Sequence, residues 1–149
     1  MTVLLSTKKG SEQIAAQFPE AIADASEQTL TLKSESLFKV AEYLKNAPEL
    51  SFDYLNYITA VDYFDYFELV YQLTSLTHNH MVVFKIRCYD RDKPSVPSVV
   101  KLWRGADFQE REIYDLMGIN FEGHPNMKRI VLWDGFKGHP LRKDYLTQQ

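Results

Sequence analysis

Between Phe52 and Cys88 the hydrophobic pattern runs with a period of two, and it does so three times. Leu55, Tyr57, Thr59 and Val61 share one face of the first run, Phe67, Leu69, Tyr71 and Leu73 of the second, and Val82, Phe84, Ile86 and Cys88 of the third. Successive side chains of a β-strand point to opposite faces, so this alternation predicts three half-buried strands. The connections, Asp62–Asp65 and Thr77–His80, are short enough for hairpins, which makes the strands an antiparallel meander. A sheet with one apolar face has to bury it against a second layer.

The residues before the meander supply that layer. Ser11 to Pro19 reads as a short helix with Ser11 as cap and Pro19 as stop, and Thr29–Lys33 alternates as a half-buried strand does. Leu37, Val40, Ala41 and Leu44 then fall at helical spacing, which Pro48 forbids from continuing. The fold class is α+β: a two-layer domain, mostly an antiparallel meander sheet packed on helices. With 149 residues, 45% of them hydrophobic, the chain suffices for one core. We expect that domain over residues 1–120, its strand and helix core at about 11–118, and an extended C-terminal arm over 121–149. Arg91–Pro97 reads as a loop, and Ser98–Trp103 fits a short helix and a strand equally.

Several function classes are excluded. A net charge of −3 gives no electrostatic footprint for nucleic acid. No stretch reaches the roughly 20 apolar residues that span a bilayer, and the N-terminal residues hold no cleavable apolar core. Cys88 is the only cysteine, so this chain alone cannot ligate an iron–sulfur cluster, and its alternation with Phe84 and Ile86 predicts a buried, inert thiol. No glycine-rich phosphate loop is present for a dinucleotide.

Asp107-Phe-Gln-Glu110 has the form of a capping box and Gly118 suits a helix C-terminus, which predicts a helix over Phe108–Met117. On its wheel Ala106, Ile113 and Met117 form the buried stripe, whereas Phe108, Arg111, Glu112 and Asp115 gather on the outward side. Such a face is either solvated, with an Arg111–Asp115 pair, or a docking face, since aromatics and arginine are enriched at interface anchors. Glu110 lies at the edge of the stripe and, if buried, needs Arg111, Arg129 or a backbone donor.

The phrase Phe-x-Gly-His-Pro occurs twice, at Phe121–Pro125 and Phe136–Pro140. His124 and His139 invite a metal or acid–base reading, but a third ligand at recognised spacing is missing, and glycine followed by proline is also how a chain changes direction. His78 and His80 read as turn polarity. Tyr63, Phe64 and Tyr66 fall in or beside a turn, as a local aromatic cluster or a contact patch. Arg142, Lys143 and Tyr145 offer anchors on a terminal segment that reads as an arm lying in a partner's groove, so removing Phe136–Gln149 is expected to leave the domain folded.

Glu110-Arg111-Glu112-x-x-Asp115-Leu-Met, then His124, Lys128 and Ile130-Val131, closely resembles the signature of the "30 kDa" subunit of proton-pumping NADH:quinone oxidoreductase, respiratory complex I. The likeness continues through Arg129–Tyr145 and includes Ala60-Val-Asp62, covering about the last two thirds of the chain. It implies a hydrophilic peripheral-arm subunit with no catalytic residue, metal or cofactor of its own; FMN, iron–sulfur clusters and quinone sit on other subunits. The implied partners are the large quinone-site subunit and the small iron–sulfur subunit of a hetero-oligomer, with no nucleic acid and no direct membrane insertion. The implied location is peripheral on the cytoplasmic side of the cell membrane, or the stromal side in a plastid. The residues expected at partner contacts, from the helix wheel, the terminal arm and this signature together, are Phe108, Glu110, Arg111, Glu112, Asp115, His124, Arg129, His139, Arg142, Lys143 and Tyr145. Two alternatives stand beside it: the equivalent subunit of a membrane-bound nickel–iron hydrogenase complex, and a stand-alone metal-dependent enzyme using His124 and His139.

Overall fold

The computed structural model describes residues 3–4, 7–25 and 29–146, with side chains from residue 9 onward. The elements run β1 (Val3–Leu4), α1 (Thr7–Gln17), β2 (Ile22–Ala25), β3 (Leu30–Leu32), a 3-10 turn (Ser34–Ser36), α2 (Leu37–Asn46), β4 (Tyr54–Asp62), β5 (Phe67–Ser75), β6 (His80–Cys88), β7 (Ser95–Pro97), α3 (Ala106–Met117) and β8 (Asn120–Glu122). β4, β5 and β6 form the expected antiparallel meander, and the main sheet has the order β2-β3-β6-β5-β4. Two short parallel pairings share the far edge of β6: β1 at His80–Met81 and β3 at Lys85–Ile86. The fold is α+β, as the period-two runs demand.

One buried cluster joins the sheet to the helices. Phe67, Leu69, Tyr71, Leu73, Phe84 and Ile86 meet Leu37, Val40, Ala41 and Leu44 of α2 and Ala106, Ile113 and Met117 of α3. Tyr71 stacks on Phe84 with ring centroids 5.0 Å apart and planes 6° apart. The Trp103 indole donates to the carbonyl of Phe52 at 3.0 Å, tying the turn before α3 to the start of β4. Cys88 is buried, and burial pushes its thiol pKa up. Among the described residues no helix is long and apolar enough to cross a membrane.

The first strand departs from the simple alternation. Pairing passes from Leu55 with Leu73 to Tyr57 with Gln72, so Asn56 is an extra residue, a β-bulge whose side chain accepts from Thr74 Oγ1 at 2.6 Å. Beyond a bulge every side chain changes face. Ile58 and Asp62 therefore enter the interior while Tyr57 and Val61 face out, the reverse of the expected face. This turns Asp62 inward, toward Arg91.

Other differences are local. α1 begins at Thr7, so Ser11 lies inside the helix rather than capping it, though the helix does stop before Pro19. β2 was not expected, because Ile-Ala-Asp-Ala has too little apolar character to signal a strand. The Arg91–Pro97 loop contains β7, which pairs in parallel with β8. Ser98–Trp103 is neither helix nor strand: the N–H groups of Leu102 and Trp103 both donate to Val99 O at 3.0 Å. The expected domain boundary at residue 121 falls inside β8, and the described residues beyond β8, up to 146, fold back over α3 without further helix or strand.

Candidate docking surface

Helix α3 organises the C-terminal third of the chain. Its expected capping box is not formed, because Gly105 occupies the cap position and no side chain bonds there. Glu110 turns inward instead and is fully buried. Its Oε1 accepts the N–H of Val99 at 2.9 Å and its Oε2 accepts the hydroxyl of Ser98 at 2.7 Å. A backbone donor, not a cation, thus satisfies it. Burial pushes its pKa up to about 7, with the Val99 and Ser98 bonds opposing the shift. At the other end Gly118 adopts φ +76°, and a Cβ there would meet His139 Cδ2 at 2.8 Å, so both the turn and the imidazole require glycine.

The helix face expected to point outward is covered by the chain itself. Arg111 and Asp115 are buried, and they do not pair with each other. The Arg111 guanidinium donates to the carbonyls of Lys128 (3.1 Å) and Arg129 (3.2 Å). Asp115 Oδ2 accepts three consecutive N–H groups, Ile130 at 3.1 Å, Val131 at 2.7 Å and Leu132 at 2.8 Å, while Oδ1 takes Arg129 Nη1 at 2.7 Å. Burial alone would raise the Asp115 pKa, but these donors outweigh it and hold the carboxyl down at about 2. Arg129 reaches on to Gly138 O at 2.8 Å, and His139 Nδ1 donates to Asp115 O at 2.9 Å.

A second carboxylate anchors the end of the arm. Asp62, placed inside by the Asn56 bulge, accepts both Nη atoms of Arg91 at 2.8 and 3.0 Å, the N–H of Phe64 at 2.7 Å and the N–H of Lys143 at 2.8 Å. Arg91 beside it holds its carboxyl well below the usual range, and the two N–H donors add to this against the cost of burial. Arg142 grips Asp144 through two bonds of 2.8 and 2.9 Å, which hold that carboxyl at about 2, and donates to Arg91 O at 2.8 Å. The guanidinium carbons of Arg91 and Arg142 lie 4.7 and 5.0 Å from the centroid of Phe67.

The repeated phrase resolves into two staples on one helix. Gly123 and Gly138 take φ +83° and +88°, turning the chain so that each following histidine faces α3. His124 Nε2 lies 3.0 Å from Asp107 Oδ1 in the first turn, and His139 sits on Asp115 near the last. Each ring is held by main chain or carboxylate of α3. Among the described residues no group of three His, Cys, Asp or Glu side chains is placed to hold a metal ion.

Of the nominated residues, Arg111, Asp115, Arg129 and His139 are thus brought into one network that holds the arm, Arg142 into the cluster around Asp62 and Arg91, His124 into a further contact, and Glu110 into the interior. Phe108 and Glu112 stay outside, as does the side chain of Lys143, while Tyr145 lies half-buried against Gly138. Sequence reasoning missed what the network presents: Val131, Trp133, Leu141 and Leu146 are exposed on the arm, with Trp133 at 70% and Leu146 at 85%. The Trp133 indole packs over Gly135, where a Cβ would come within 2.1 Å of Cζ3, and stands edge-on to Phe136 at 6.3 Å. A signal was available: Val131-Leu-Trp133 is apolar yet sits between charged and glycine-rich residues without any helix or strand period to bury it.

The charges of the chain thus fix its own arm and leave apolar side chains standing outward, the kind of surface that partner proteins bury. Residues 30–149 match the family described as respiratory-chain NADH dehydrogenase, 30 Kd subunit, and the chain belongs to that family. It is 39% identical over 140 residues to an NADH-quinone oxidoreductase subunit of Roseiflexus sp. (strain RS-1), spanning 89% of this chain and 80% of the relative. It is 37% identical over 155 residues to the protein of the same name in Cupriavidus metallidurans, spanning 97% and 78%. Among solved structures, a chain of the membrane-bound sulfane sulfur reductase, an archaeal respiratory membrane complex, superposes with a TM-score of 0.74 and 25% identity, over 93% of this chain and 84% of that one.

Proposed function

We propose that this chain is a non-catalytic peripheral-arm subunit of a proton-translocating NADH (or ferredoxin):quinone oxidoreductase. In this reading it scaffolds the large quinone-site subunit and the small iron–sulfur subunit on the cytoplasmic side of the membrane, and binds no flavin, cluster or quinone itself. Family membership supports the complex. The observation that carries the scaffold role is the arm: its backbone is bonded from beneath by Asp115, Arg111 and Arg129, so that Val131 and Trp133 are presented to the outside. A segment ordered in this way loses little conformational freedom on docking, and buried aromatic anchors dominate interface energies. The likeness to a sulfane sulfur reductase chain keeps a second reading in view, the same scaffold serving a related membrane-bound complex with a different electron acceptor.

Trp133→Ala tests the role in the assembled complex. We expect the fraction of chain co-purifying with the other subunits to fall, with quinone reductase activity falling in proportion and the rate per assembled complex unchanged. A Trp133→Ala chain that co-purifies at the wild-type level overturns the arm as docking surface. A lower rate per assembled complex overturns the non-catalytic assignment.

A further inference from the structure

The β4–β5 hairpin turn carries a feature that the fold does not require. Phe64 has φ +72°, and the N–H of Asp65 donates back to Tyr63 O at 2.9 Å, so Phe64 sits at the centre of a three-residue turn with left-handed backbone. Glycine takes this conformation freely, asparagine tolerates it, and a bulky aromatic is disfavoured there. The turn is fixed from two directions. Asp62 Oδ1 accepts the Phe64 N–H at 2.7 Å, and Arg91 Nη1 donates to Phe64 O at 2.9 Å. Strain of this kind persists where the surroundings over-determine it.

The side chain gains little for that strain within this chain. Phe64 is 59% exposed, with the Arg91 guanidinium 5.2 Å from its ring centroid. Around it Tyr63, Tyr66 and Tyr89 form a chain of rings with successive centroids 5.4 Å apart, and Tyr63 and Tyr89 are exposed as well. The same Asp62 that holds Phe64 also holds Lys143 through Oδ2 at 2.8 Å. One buried carboxylate therefore sets the Phe64 turn and the end of the arm in fixed relation, and Arg91, which bonds the Phe64 carbonyl, also pairs with Asp144 of the arm at 3.3 Å.

We infer that the Tyr63–Tyr66 turn, with Phe64 as its anchor and Tyr89 beside it, is the second half of the arm's docking surface and is covered by the same partner protein. The occupant is a folded protein surface with an apolar cleft for the Phe64 ring. Asp65, Asp90, Asp92 and Asp144 are the exposed carboxylates around the turn, against the exposed Lys93 and Lys143, while Arg87 and Arg91 are half-buried over the Tyr66 and Phe64 rings, so the exposed rim is acidic and is complemented by lysine or arginine. This inference rests on the arm reading above. The Asp62–Arg91 pair registers the two halves, and burial of Phe64 in the partner offsets the backbone strain.

The test uses the full chain and the complex it enters, with Phe64→Gly, Phe64→Asn and Trp133→Ala. Glycine and asparagine both suit the backbone and remove the ring. The melting temperature of the free chain is expected to stay level or rise with Phe64→Gly. Co-purification with the complex is expected to fall at least about tenfold for Phe64→Gly and Phe64→Asn, the loss of one buried aromatic anchor. If Trp133→Ala weakens association and both Phe64 variants assemble normally, the turn is a solvent-facing hairpin and the inference fails while the arm reading stands. If the Phe64 variants weaken it and Trp133→Ala does not, the turn is a contact and the arm reading fails. Normal assembly of all three overturns both, and a clearly lower melting temperature for Phe64→Gly overturns the strain argument.

Discussion

A carboxyl group with no solvent and no cation beside it, Glu110 receives one backbone N–H and one hydroxyl and is pushed up to about 7 by its burial. The consequence for stability has a definite sign. A carboxyl whose folded pKa lies above its unfolded value binds more protons when folded, so its contribution is fully present below the unfolded value of 4.5 and is lost as pH rises through about 7. The full span corresponds to about 3 kcal/mol. Asp115 and Asp144, held at about 2, act in the opposite sense, and their contribution is lost only as pH falls below the ordinary carboxylate range. Among the carboxyl groups with a shifted pKa, Glu110 is the one that titrates between pH 4.5 and 7. Glu110→Gln keeps an acceptor for Val99 and a donor for Ser98 while removing the charge. Denaturant unfolding of the wild type between about pH 5 and pH 8 should show falling stability, and the variant a flatter profile with its gain at the alkaline end. A flat wild-type profile would show that the carboxyl does not titrate in that window.

At the scale of elements, the arm is an irregular segment ordered by a helix. Asp115 supplies what a β-ladder would otherwise supply, acceptors for three successive N–H groups, and it does so while paired with Arg129. Removing one partner of a buried, hydrogen-bonded charge pair typically costs about 3–5 kcal/mol, and Asp115→Asn, which retains one oxygen, should cost about 2–3 kcal/mol. Because the loss is local, amide hydrogen exchange at residues 130–132 should accelerate more than exchange in β5 or β6. Uniform acceleration would mean that Asp115 supports the whole domain rather than the arm. This element also shows where sequence reasoning stops. The meander was legible because Phe67, Leu69, Tyr71 and Leu73 obey a local period, and α2 because Leu37, Val40, Ala41 and Leu44 obey another. The bulge at Asn56 was not, since one inserted residue leaves an alternation that reads equally well in either register. Nor was the burial of Arg111 and Asp115: on the wheel they lie among charges, and only the return of residues 128–142 over that face changes their surroundings. The capping box failed for a related reason, as Glu110 had a better pair of donors in Ser98 and Val99 than at its own helix terminus.

At the scale of the whole molecule, domain and arm are not separable parts. The sequence suggests that removing Phe136–Gln149 would leave a folded domain with a docking defect. The structure argues otherwise. That deletion takes away the Gly138 carbonyl from Arg129, the His139 ring and its bond to Asp115, the Leu141 N–H bond to Leu116, the Lys143 N–H from Asp62, and the Arg142 guanidinium over Phe67. Each such bond is worth about 1 kcal/mol net, and bonds to charged groups about 1.5–3. Their sum is several kcal/mol, set against the 5–15 kcal/mol roughly typical of a whole domain. Ordering the arm costs conformational entropy, which reduces the net loss without cancelling it, because the same deletion takes the Lys143 N–H from the buried Asp62 carboxylate and the His139 donor from the Asp115 carbonyl. Truncation should therefore lower the melting temperature by on the order of 10 °C, whereas Trp133→Ala, which removes an exposed ring, should shift it by about 2 °C or less. Calorimetry on the two free chains decides this. A truncated chain that melts with the wild type would show that the arm is bonded only as tightly as its lost entropy allows; a Trp133→Ala chain that melts far below it would make the ring part of the fold and not of the docking surface.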